Sequence, residues 1–295
     1  MAEHKYPRDV TGALHKFVIL PTDFPVAVAG VITLPAKSTW ELVNDIDLGG
    51  ARLDCGADVV IKGQSSENCQ LSSTGLTGTA IITGTAAVIL RDIEISADIG
   101  VTLTNSNTES LDWKAVNFIN CATAAGTITD YNNVLISDSV FINSGPLTYV
   151  GTFDTLSFFQ VLVSAKASST SIALDASATV NRRFRMTDCA VIAGDPSSTA
   201  ITAIPGNLAT NETFILNDVN FSGSGTFLNG INSSDNASLI QRCVGIDNSA
   251  DVTQYNMTNN ATSTTLTDAG VFYKVVGTTI NGNVVEKFTN TANRC

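Results

Sequence analysis

The chain has 295 residues, 44% apolar and 15% charged, with 27 acids against 16 bases for a net charge of −11. A length of this order suits one large, elongated β domain. The acidic balance argues against nucleic acid as a partner, because phosphate contacts need a basic face. No window holds the roughly eighteen continuous apolar residues that a membrane span needs, so no membrane insertion is expected.

The opening stretch, MAEHKYPRDVTGALHKF, carries both histidines, His4 and His15, together with Lys5, Arg8 and Lys16. Glu3 and Asp9 interrupt its charge, and Pro21, Asp23 and Pro25 break the apolar run that follows, so it does not read as a signal peptide. Residues 1–30 are expected to form an arm and cap. The arm is either a docking element or a disordered terminus. A cap near Pro25 to Trp40 should cover the open end, because an uncovered strand edge invites aggregation.

Strand patterns begin at Val31 with VITLPAKSTWELVNDIDLGGARLDC, DVVIKGQSSENCQL and TAIITGTAAVIL. From Val88 the pattern becomes a repeat: VILRDIEI, LDWKAVNF, VLISDSVF, LSFFQVLV, FRMTDCAV, FILNDVNF and LIQRCVGI. These octets start at Val88, Leu111, Val134, Leu156, Phe184, Phe214 and Leu239, in steps of 23, 23, 22, 28, 30 and 25 residues. Such recurrence marks a stacked architecture. The first, third, sixth and eighth places of the octet make 28 positions, and 26 of them are apolar, with only Ser139 and Gln241 failing. Alternation within each half is the period of a strand. The fourth and fifth places break it with polar pairs such as Arg91-Asp92, Ser137-Asp138, Thr187-Asp188 and Asn217-Asp218. Aspartate tolerates a corner because its side chain can bond its own backbone. Each unit is therefore two short strands about a tight bend, with a further stretch closing the coil.

The expected fold is all-β, a right-handed parallel β-helix over residues 31–250. Its coils should stack at the strand spacing of ~4.8 Å. A β-sandwich is the competing architecture. Of the hairpin pairs Asn-Gly and Asp-Gly that it would use, only Asn229-Gly230 falls between the segments.

The succession WELVNDIDLGG, VVIKGQSSENCQL, LTGTAIITG and VILRDIEI resembles the opening coils of pectate-lyase-like β-helix proteins found in bacteriophage tail spikes and fibres. The likeness runs from roughly Val31 to Ile246 and rests on scaffold motifs. It implies a virion protein, assembled in the host cytoplasm as a homotrimer, that meets a host-surface glycan or receptor. In some such proteins the scaffold also cleaves polysaccharide. The N-terminal arm would then dock on other virion proteins.

The long steps place extra residues in Ala165–Val180 and Ala193–Ala209, where insertions in a solenoid commonly make the working face. Beside them stand Arg182, Arg183 and Arg185, a basic cluster in an acidic chain that could hold an acidic sugar or pair with nearby acids. The seventh place of the octet should point outward, yet Val140, Leu162 and Ala190 occupy it in three consecutive coils. This apolar stripe fits a subunit interface or a covering loop of the same chain. Asn120, Asn143 and Asn248 share the tenth place, where stacked amides could form a ladder along the axis. The cysteines show no metal-ligand spacing, and Cys189 falls at an inward place, so they read as thiols in a reducing compartment. Residues 251–295 read as a spacer, or an irregular final wrap, followed by strands flanking Asn281-Gly282 that are expected to pair with another subunit or with further chain.

No catalytic constellation stands out. Both histidines precede the repeat, so a Ser-His-Asp arrangement would need the arm to fold back. Asp188 and Asp218 hold equivalent places on successive coils and are the weak candidates for the paired carboxylates of a glycosidase, or for Ca²⁺ ligands. The plainer reading makes them turn residues. No cofactor or metal is implied. The functional expectation is a virion fibre or spike component that presents a host-contact surface. Its rivals are a polysaccharide depolymerase on the same scaffold and a secreted adhesin.

Overall fold

The described coils lay strands on three faces, and like strands of successive coils pair in parallel. The computed structural model describes residues 14–65, 69–202, 213–223 and 225–233, with further strands at Leu239–Gln241, Val244–Asp247, Tyr255–Asn259, Phe272–Tyr273, Thr279–Ile280 and Asn283–Val284. An 18-stranded sheet holds the two faces made by the octet, and a 12-stranded sheet holds the stretch that closes each coil. The chain is an all-β parallel β-helix. Among the described residues the only helical turn is a 3-10 turn at Pro21–Asp23.

The octet explains why the strands bend where they do. In two coils both halves lie in one long strand, Val88–Ser96 and Ser110–Ile119. At the fifth place Asp92, Ala115, Asp138, Gln160, Asp188 and Asp218 all have positive φ, between 49° and 54°. At this corner one left-handed residue turns the chain between faces in each of these coils, and the corners stack because the strands on either side keep register. Four of the six are aspartate, a residue enriched in this conformation. Ala115 and Gln160 hold it by context alone.

The inward places form continuous columns. Register pairs Phe118 with Phe141, Phe141 with Val163, Val163 with Val191, and Val191 with Phe221. Along the first face Leu111, Val134, Leu156 and Phe184 stack in the same way. Every inward residue of the octets whose side chain is described is buried, and burying each such large apolar side chain contributes about 1.5–3 kcal/mol. Ser139 is the polar exception, and it is satisfied: its Oγ accepts the Val116 N–H at 3.0 Å and donates to the Ser137 carbonyl at 2.7 Å. The indole N–H of Trp113 likewise donates to the Val88 carbonyl at 2.9 Å.

Four expectations need correction. First, the stack takes in Leu14–Val18, which pairs in parallel with Ser38–Leu42, so His15 lies within it and not in a detached arm. Capping follows near the expected place, where Phe24 packs on Trp40 with ring centroids 5.3 Å apart. Second, the seventh octet is displaced by one residue. Leu239 pairs with Ile215, Ile240 with Leu216, and Gln241 with Asn217. Sliding by one exchanges the two sides of a strand, so the apparent failure at Gln241 arises from aligning it with Leu216. Third, the long steps are not projecting loops as far as they are described. They contain third-face strands, Thr170–Leu174 and Thr199–Thr202, and the extra length goes into short turns such as the one closed by Ala178 N–H on the Asp175 carbonyl. Residues 203–209 of the second step lie outside the described residues. Fourth, Phe272–Tyr273 pairs with Val244–Asp247 of the same chain rather than with another subunit, and Tyr255–Asn259 extends the third face. Thr279–Ile280 and Asn283–Val284, which flank Asn281-Gly282, pair antiparallel as a hairpin would.

Candidate binding face

The outer side of the first face carries the side chains that alternate with the buried columns. Its N-terminal coils form a charged ladder. Glu41, Lys62, Arg91 and Lys114 occupy one register line. Three stacked cations would repel one another, but each has an acid. Lys62 Nζ lies 2.6 Å from Glu41, Arg91 holds Asp112 through both nitrogens at 2.7 and 3.1 Å, and Lys114 lies 3.7 Å from Asp138. His15 Nε2 lies 3.1 Å from the same Glu41 carboxylate. Burial pushes the Glu41 carboxyl up, but hydrogen bonds from Lys62 and His15 and their charges outweigh this and hold it below the usual carboxylate range. Surface pairs of this kind contribute about 0.2–1 kcal/mol each. Basic residues therefore also gather outside residues 182–185. Cations twenty or more residues apart come together through coil stacking, and the sequence signal was the recurrence of a basic residue at the fourth place in Arg91 and Lys114.

Further along the same side the face changes character. Arg183 pairs in register with Thr155, and Arg185 with Ser157. Above them, one coil earlier, lie Asn133 and Leu135. Phe159 is in line with Thr187. Leu135 and Phe159 remain 40% and 39% exposed. A register shift between Phe153 and Thr155 lets Asp154 reach Arg182, 3.2 Å away. Arg185 Nε donates to the Thr187 hydroxyl at 2.8 Å. Among the described residues, neither Arg183 nor Arg185 forms an ion pair. The three arginines therefore do not act as one cluster: Arg182 is neutralised by Asp154, whereas Arg183 and Arg185 have no acid partner among the described residues.

On the second face, Val140, Leu162 and Ala190 stack in register as a partly exposed stripe, with Asn117 before it and Asn220 after. Ile142, one outward place along from Val140, is 38% exposed. At the next corner Asn143 Nδ2 donates to Asn120 Oδ1 at 2.8 Å, so the expected amide ladder exists over these two coils, while Asn248 lies outside the described residues.

Asp188 and Asp218 occupy stacked corners, with the Asp188 amide donating to the Asn217 carbonyl. Asp218 Oδ2 accepts from its neighbour Asn217 Nδ2 at 3.0 Å. Since Ala115 and Gln160 hold the same corner, the position requires a backbone conformation rather than a carboxylate. The structure thus supplies a turn role for both acids. Cys55, Cys69, Cys121 and Cys189 are buried free thiols, and burial pushes the Cys121 thiol up to about 11. Cys243 and Cys295 lie outside the described residues, as does His4. Among the described residues, no group of three His, Cys, Asp or Glu side chains is placed to hold a metal ion. No helix there is long and apolar enough to cross a membrane.

Comparison of the chain with protein-family models, with curated proteins and with solved structures finds no match.

Proposed function

We propose that this chain is a structural component of a bacteriophage virion, of the tail-fibre or tail-spike kind, assembled as a homotrimer in the host cytoplasm. Its β-helix serves as a rigid shaft that presents a host-surface-binding face, and its N-terminal arm meets other virion proteins. The observation that carries this reading is the middle of the first face. There, exposed Leu135 and Phe159 share a sheet with two arginines that have no acid partner among the described residues. A sheet of this size holds its side chains in fixed register, so recognition by shape and hydrogen bonds costs little ordering entropy. The second-face stripe of Val140, Leu162 and Ala190 is the surface assigned to subunit contact. Contiguous apolar surface on a soluble protein marks interaction sites.

Fluorescently labelled protein incubated with a panel of bacterial strains tests the assignment. Binding to some strains, blocked by their purified surface polysaccharide and without release of oligosaccharide, is the expected result. Absence of binding to every strain removes the attachment role. Release of oligosaccharide moves the chain to the depolymerase reading.

A further inference from the structure

We infer that Arg183 and Arg185 form a binding site for a polysaccharide that carries isolated carboxylates on otherwise uncharged sugars. This deepens the host-attachment reading above and rests on it.

The two arginines flank Phe184, which is 2% exposed and fixed in the first-face column. Both therefore project from the outer side of one strand, with Cα atoms about 6.6 Å apart. That separation brings both guanidinium groups within reach of one carboxylate. The hydrogen bond from Arg185 Nε to Thr187 Oγ1 uses one edge of its fork and leaves both Nη groups for a ligand. Guanidinium binds carboxylate through paired parallel hydrogen bonds, with geometry as well as charge contributing to selectivity.

The other pairings on this face make the case specific. Lys62, Arg91, Lys114 and Arg182 each lie within ion-pair distance of an acid, at 2.6, 2.7, 3.7 and 3.2 Å. In a chain of net charge −11, two adjacent cations with no acid partner among the described residues stand apart from the pattern of their own face. Their surroundings are neutral hydrogen-bonding groups, Thr155 and Ser157 in direct register and Asn133 one coil further, with Phe159 and Leu135 as exposed apolar surface. This mixture suits hydroxyl-rich rings with apolar patches.

Net charge then selects among anions. At physiological salt, charges are screened beyond about 8 Å. A ligand with one carboxylate per few sugars feels the two arginines locally, whereas a dense polyanion brings many charges against an acidic protein. The site therefore favours sparse carboxylates over nucleic acid or heavily sulfated chains.

Calorimetry on the full chain tests the site. Sialyllactose and hyaluronan oligomers, whose carboxylates are separated by uncharged sugars, serve as probes, each beside its methyl-esterified counterpart. At least one free acid should bind, and its ester should bind at least tenfold more weakly. Arg183→Ala with Arg185→Ala should weaken binding at least tenfold, and Arg183→Lys with Arg185→Lys should recover only part of it. Arg182→Ala, an exposed residue already paired with Asp154, should stay within twofold. Thermal unfolding midpoints of all variants should match the wild type. The site is overturned if no free acid binds, if ester and acid bind equally, or if the double alanine variant keeps its affinity. Cell attachment separates the two levels of the argument. Strains bound equally by wild type and double variant refute the site and leave the attachment role standing, whereas no attachment by any version refutes that role itself.

Discussion

Phe118 and Phe141 lie one coil apart with ring centroids 5.2 Å from each other and planes only 11° from parallel. Register places their strands in parallel, so the rings belong to a column that continues through Val163, Val191 and Phe221. Phe141→Ala would leave a cavity between two layers that cannot collapse without disturbing both. The expected loss is about 3–5 kcal/mol. Phe159→Ala, on the exposed side of the neighbouring face, should cost less than about 1 kcal/mol. Denaturant unfolding of the two variants measures the contrast, and equal losses would contradict the column.

Ser139 provides a second test, because the octet pattern and the hydrogen bonding give opposite answers. The pattern favours an apolar residue at this place, as Val116 and Val161 show in the adjacent coils. The hydroxyl, however, is the acceptor for the buried Val116 amide. Ser139→Val should therefore destabilise the protein by about 1–3 kcal/mol, the cost of an orphaned donor, despite raising hydrophobicity. A stabilised variant in thermal unfolding would show that the amide finds another partner.

The corner file predicts how residue 188 responds to substitution. Asp188 has φ 53°, a conformation costly for β-branched residues. Asp188→Val should cost about 1–2 kcal/mol. Asp188→Gly and Asp188→Asn should remain within about 1 kcal/mol of the wild type. Equilibrium unfolding decides. If Asp188→Asn abolished turnover of a glycan at unchanged stability, the residue would hold a catalytic role that a turn does not explain.

Acid sensitivity follows from Asp47. The Thr74 hydroxyl donates to Oδ2 at 2.6 Å, and the amides of Gly49 and Thr74 donate to Oδ1 at 2.9 and 2.8 Å. Together these hold the carboxyl below its ordinary 3.8, the Thr74 side chain contributing most. A carboxylate whose folded value is depressed stabilises the fold fully above its unfolded value, and that stability is lost as pH falls through the folded value. Asp47→Asn should therefore be less stable than the wild type by a constant margin from pH 7 to about pH 5, and the margin should close below the ordinary carboxylate range. Unfolding free energies measured across pH 2–7 check this, and a margin undiminished at pH 2 would refute it.

Much of the fold was legible because a β-helix writes its geometry into local sequence. The inward columns appear as apolar places in an octet, and the corners as aspartates at its fifth place, since strand alternation and left-handed turns are short-range constraints. What the octet could not fix is how coils align where the repeat weakens. The one-residue displacement at Leu239, and the entry of Leu14–Val18 into the stack, depend on pairing with chain more than twenty residues away. The same reason hid much of the candidate face. Arg182, Arg183 and Arg185 are consecutive enough to stand out in sequence, yet only register and the shift beside Phe153 send Arg182 to Asp154 and leave the other two with no acid partner among the described residues. Sequence determined which side chains each strand turns inward and outward, because that alternation is local. Tertiary structure alone decided which outward charges meet, because their neighbours arrive from the coils before and after.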